Sequence, residues 1–105
     1  MGKTGLKTGD ALPEILAALK GLKEEAGRKY KAELKGIFGS YARGEENPGS
    51  DLDVLVEFNE GANLVDLVGL SLFLEEKLRR SVDVVPQSAL RKELKADILK
   101  EMISV

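Results

Sequence analysis

"GSYARGEENPGSDLDVLVEF", residues 39–58, sets two carboxylates, Asp51 and Asp53, at the mouth of an apolar run. Leu52 to Phe58, rich in Val and Leu, reads as a strand. Acidic residues are poor strand formers and costly to bury without a charge partner. If Asp51-Leu52-Asp53 is extended, both carboxylates face one way while Leu52 faces the core. Two like charges so close repel unless a divalent cation lies between them. The plainer alternative is a capped turn or a solvated loop end, the commoner fate of a solitary Asp-x-Asp.

Gly39-Ser40 ends a short strand candidate, Leu34 to Phe38, and opens into a helical turn, Tyr41 to Arg43, closed by Gly44. Such a junction presents backbone N–H groups and a hydroxyl suited to a phosphate, and glycine lets the phosphate approach closely. Taken alone, Gly39-Ser40 is an ordinary capped turn and Arg43 a solvated charge. A third acid, Asp83, lies within "SVDVVP", a short apolar strand at Val82 to Val85. Beside the Leu52 strand it completes a carboxylate cluster. The plainer reading pairs it with Arg79 or Arg80. Glu45, Glu46, Glu57 and Glu60 read as solvated surface.

Outward from this stretch, Leu12, Ile15, Leu16, Leu19 and Leu22 recur at helical spacing from Ala11 to about Ala26, with Asp10 as cap and Gly27 as stop. Asn63 caps a further helix running to about Arg80. Ser88 caps a last one, with Leu90, Leu94, Ile98 and Met102 on one face. Residues 1–10 read as a flexible N-terminus and 11–105 as a single domain. The element order predicts an α/β (α+β) fold, a small mixed sheet covered by helices.

Composition narrows the chemistry. A chain with 43% hydrophobic and 32% charged residues reads as an ordinary soluble globular protein. No apolar run spans a bilayer and no signal peptide is present, so the expected address is the cytoplasm, with no membrane partner. With no Cys and no His, thiolate and imidazole ligands and a His base are excluded. Any metal is then a hard ion held by oxygen, Mg²⁺ or else Mn²⁺. A net charge of −2 argues against a basic nucleic-acid surface, and no direct nucleic-acid binding is expected.

Residues Gly39, Ser40, Ala42-Arg43-Gly44, Ser50-Asp51, Asp53 and Asp83 together closely resemble the signature of the minimal nucleotidyltransferases, within the DNA polymerase beta-like superfamily. The likeness runs through almost the whole chain from the first helix. It implies a polymerase beta palm-like fold with Mg²⁺ and ATP as cofactor and substrate. Asp51, Asp53 and Asp83 would be metal ligands and catalytic residues, Gly39 and Ser40 would bind the triphosphate, and Arg43 would be a further phosphate contact or a structural anchor. It further implies an antitoxin that moves AMP from ATP onto a tyrosine of a partner HEPN-domain RNase toxin. The rival readings are an antitoxin that neutralises its HEPN partner by binding alone, a nucleic-acid or antibiotic nucleotidyltransferase, and an Asp-x-Asp glycosyltransferase.

One feature stands apart from the motif. From Leu64 to Leu74 apolar residues go nearly around the helix, more than one buried stripe requires. A helix buried in a small core and an interface, for a second copy or for HEPN docking, both account for it.

Overall fold

Leu52 is wholly buried and its backbone N–H donates to the Ser81 carbonyl at 2.9 Å, which fixes the start of one strand against the start of another. The computed structural model describes residues 11–105. The expected flexible stretch 1–10, with Asp10 as helix cap, lies outside the described residues. Four helical segments, α1 (Leu12–Tyr30), α2 (Ser40–Arg43), α3 (Leu64–Leu78) and α4 (Lys92–Glu101), alternate with β1 (Ala32–Phe38), β2 (Leu52–Phe58), β3 (Val82–Pro86) and β4 (Ile103–Ser104). The sheet order is β3-β2-β1-β4; β2 runs parallel to β3, and β1 runs antiparallel to both β2 and β4. This is the expected mixed sheet with helices.

Strand alternation sorts the residues. Leu52, Val54 and Val56 of β2 join Leu34, Ile37, Val82 and Val84 in one apolar cluster, closed over by Ile15, Leu19 and Ala26 of α1 and Leu70, Phe73 and Leu74 of α3. Asp53, Leu55 and Glu57 turn to the opposite face, and Leu55 there is fully buried outside that cluster. The helix layer of α1 and α3 thus covers one face, and the acidic residues of β2 and β3 belong to the other.

Several boundaries differ from expectation for local reasons. Gly27 does not stop α1; the helix runs to Tyr30 and ends at Lys31 in the left-handed conformation (φ 56°), whose N–H reaches the Gly27 carbonyl at 3.2 Å. A glycine inside a helix costs only about 1 kcal/mol against alanine, so buried Ala26 can carry it. Ser88 caps nothing: it falls in a 3-10 turn at Gln87–Ala89, and α4 begins three residues after that turn without a side-chain cap. No residue of α4 is buried, and Leu94 is exposed, so the expected apolar face does not build core. Met102 lies past the end of α4 and packs on Gly36, where a Cβ would meet the Ile103 carbonyl and the Met102 side chain. That glycine, at a register shift in β1, makes room for β4, a strand too short to show a periodic pattern. Asn63, by contrast, caps α3 as read, in a reciprocal capping box with Asp66.

Candidate active site

β1 ends where β2 and β3 begin, so three strand ends meet at one edge of the molecule. The parallel register sets Asp53 directly beside Asp83, and the antiparallel register sets it opposite Phe38, the last residue of β1. Gly39 follows with φ 77° and ψ −151°, a backbone region open essentially to glycine alone. A Cβ there would fall on the Asp53 carboxylate oxygen Oδ2. The glycine is therefore needed twice, for its conformation and for the contact. Ser40 then opens α2, whose first N–H groups have no side-chain cap.

The loop from Gly44 to Asp51 is built to deliver the carboxylates. Gly44 closes α2 with φ 72°, and the Glu45 N–H donates to the Ser40 carbonyl at 2.9 Å. Asn47 and Ser50 close a tight turn: the Asn47 N–H donates to Ser50 Oγ at 3.0 Å and the Ser50 N–H to the Asn47 carbonyl at 2.9 Å. Asp51 emerges from this turn exposed, one residue before β2 begins.

Asp53 has its pKa pushed up to about 6, first by burial, then by the negative charges of Asp83 and Asp51, with Arg43 acting the other way. None of the ion pairs among the described residues involves Asp51, Asp53 or Asp83. The alternative pairing of Asp83 with Arg79 or Arg80 does not form; Arg80 donates from Nε to the Leu78 carbonyl at 3.1 Å and lies 5.8 Å from the centroid of the Tyr41 ring.

Among the described residues no three acidic side chains converge closely enough to enclose an ion. The donor set is Asp53 with its cross-strand neighbour Asp83, and Asp51 near enough to act electrostatically. A half-buried carboxylate beside exposed like charges, none of them in an ion pair among the described residues, fits a hard divalent ion that draws its other oxygens from water and substrate phosphates.

Arg43 is already engaged: Nε donates to Glu45 at 2.9 Å and Nη1 to Glu101 at 3.0 Å, tying α2 to the end of α4. Glu46, expected in solvent, is instead 9% exposed, and its Oε1 has no hydrogen-bond partner among the described residues. No periodicity marks it; it lies in a polar loop whose path only the fold determines.

The sequence profile of the nucleotidyltransferase domain family matches residues 19–105. The chain belongs to that family. This nucleotidyltransferase is 36% identical to the protein adenylyltransferase MntA of Thermococcus cleftensis over 94 residues, covering 90% of this chain and 95% of that protein. It is 47% identical over 77 residues to a candidate protein adenylyltransferase of Methanocaldococcus jannaschii, covering 73% of this chain and 83% of that one. Among solved structures it is similar to a candidate minimal nucleotidyltransferase, with TM-score 0.74, 33% identity, and coverage of 98% of this chain and 100% of that one. A toxin–antitoxin structure with AMP-PNP shares the fold at TM-score 0.62 and 23% identity, over 77% of this chain and 67% of that one. No helix among the described residues is long and apolar enough to cross a membrane.

Proposed function

We propose that this nucleotidyltransferase is an ATP- and Mg²⁺-dependent protein adenylyltransferase. Residues 11–105 act as its single catalytic domain. It works in the cytoplasm as the antitoxin of a HEPN RNase toxin, transferring AMP to a tyrosine of that partner. The observation that carries this reading is Asp53, half-buried, set beside Asp83 in register on parallel strands, with its carboxylate in the space a side chain at residue 39 would fill. The 36% identity to a relative named as a protein adenylyltransferase supports the reaction class. A protein of the same fold crystallised with AMP-PNP supports the nucleotide.

Asp53 and Asp83 would hold the metal, with Asp51 beside them. Bound there, Mg²⁺ would neutralise triphosphate charge and make the acceptor hydroxyl easier to deprotonate. Gly39 and Ser40 would seat the phosphates through backbone N–H groups and the hydroxyl. The acceptor oxygen forms a bond to the α-phosphorus, the bond to the bridging oxygen breaks, and pyrophosphate leaves with the displaced electron pair. The hydroxyl proton passes to the carboxylate edge and on to water. Arg43 serves as an anchor for α2, through its bonds to Glu45 and Glu101.

The test uses the partner. Intact mass of the HEPN protein after incubation with this chain, ATP and Mg²⁺ should rise by one or more AMP units. Asp83→Ala should cut transfer by about a thousandfold or more while ATP affinity and partner pull-down stay near wild type, the pattern of an interaction made chiefly in the transition state. Full transfer by a folded Asp83→Ala protein would sink the assignment. A bound, silenced partner with no mass change would favour neutralisation by docking alone.

A further inference from the structure

The turn from Gly39 to Arg43 is held at both ends by one short piece of chain. Before it, Ile37 of β1 pairs with Ile103 of β4. At its end, Arg43 Nη1 donates to Glu101 Oε1 at 3.0 Å. Glu101 is the last residue of α4 and stands just before β4, so residues 101–103 clamp residues 37–43. The joint between the two ties is itself fixed. The Met102 N–H donates to the Ile98 carbonyl at 2.9 Å, and the Met102 side chain packs on Gly36.

α2 needs such a tie. A single helical turn is unfavourable by itself, and this one has no side-chain cap at its start. Tyr41 is buried in the apolar cluster and secures the inner side. On the outer side Arg43 meets two carboxylates. Glu45 follows it in the same loop, so that bond cannot fix α2 against the rest of the fold. Glu101, 58 positions away in the chain, can. What the clamp holds in place is Gly39, whose missing side chain leaves room for the Asp53 carboxylate.

We propose that Glu101 is a positioning residue, holding the Gly39-Ser40 backbone against Asp53 through Arg43. Glu101 thereby sets the affinity for a nucleoside triphosphate with its divalent ion, a role that rests on the adenylyltransferase reading of that site. The sign of the effect separates this role from that of a plain charge. By its field alone, loss of a carboxylate near a bound polyanion tightens binding. Loss of Glu101 should loosen it, because the turn loses its tie. An exposed ion pair holds a conformation weakly, so the change is small and graded.

The experiment is calorimetric titration of the full chain with AMP-PNP and Mg²⁺, beside hydrogen exchange of the nucleotide-free protein. Glu101→Ala should weaken binding about three- to fivefold, and Glu101→Lys, which sets a cation beside Arg43, about tenfold. Glu101→Gln keeps an oxygen for Nη1 and should stay within about twofold of wild type. Glu93→Ala, the same loss of charge at the exposed start of α4, should not weaken binding. In an Arg43→Ala background, Glu101→Ala should add nothing further. Without nucleotide, the Arg43 and Glu45 amides, bonded to the Gly39 and Ser40 carbonyls at 3.1 and 2.9 Å, should exchange severalfold faster in Glu101→Ala. Wild-type or tighter binding by Glu101→Ala overturns the inference alone, as does unchanged exchange. A wild-type chain that takes up no nucleotide overturns the adenylyltransferase reading, and this inference with it.

Discussion

The carboxylate edge and the outer face of α3 both violate the ordinary rules of a stable surface, in opposite ways. At the edge, Asp53 is part-buried beside two like charges with no cationic side chain paired to it. Along α3, Leu64, Val65, Val68 and Leu72 stand exposed among the described residues. The first holds repulsion that a cation or a proton would relieve; the second holds apolar area that only another surface can cover. Strain of the first kind belongs to chemistry, and the two regions lie on opposite sides of the sheet.

Substitutions at the edge should separate activity from stability. Asp53→Asn is expected to lower the rate of AMP transfer by about a thousandfold or more, because it removes a charge from the proposed metal site. The apo melting temperature should not fall, since like-charge repulsion goes with it. Initial rates beside thermal melts check both. A large drop in apo stability would make Asp53 a structural cap and erase the contrast between the regions.

Gly39→Ala should cost about 2–3 kcal/mol in denaturant unfolding, from its Gly-only backbone region and from displacement of the Asp53 carboxylate. It should also abolish the rise in melting temperature on adding ATP with Mg²⁺, which follows from binding only the native state. On the α3 side, Gly69 fits against Tyr30, whose ring atom Cε1 would lie 2.8 Å from an added Cβ. Tyr30 packs on Phe73 at 5.3 Å between ring centroids. Gly69→Ala should therefore cost about 1–2 kcal/mol by shifting that pair, yet leave AMP transfer per folded molecule unchanged. An activity loss matching that of Gly39→Ala would show the two regions to be coupled.

The smallest expected effect is on pH dependence. Asp53 has its pKa raised from 3.8 to about 6, so the folded chain binds this proton more tightly than the unfolded chain does. Its contribution to stability is fully present below the lower value and is lost as pH rises through about 6. Apo melting temperature should thus fall modestly between pH 5 and 7, roughly the window in which few other side chains titrate. Asp53→Asn should flatten the slope, and so should Mg²⁺ with ATP. A wild-type slope of the opposite sign would rule out a crowded Asp53.

Strands β1, β2 and β3 and the Asn63 cap were legible from residues 34–85 because each rests on local chemistry: alternation, turn residues and caps. The end of α1 was not, because Gly27 stops a helix only when no packing carries the chain past it. Neither β4 nor the burial of Glu46 leaves a local mark. One is a two-residue strand admitted by the missing side chain of Gly36, and the other is the path of a loop. By itself the sequence determined which residues carry charge, which carry apolar surface and where backbone freedom is needed. Tertiary structure alone decided that Asp83 lies beside Asp53 and that Arg43 bonds to Glu45 and Glu101. It alone decided which side of α3 remains uncovered among the described residues. Those are contacts between residues far apart in the chain, and they follow from strand order and helix placement, which short-range periodicity does not encode.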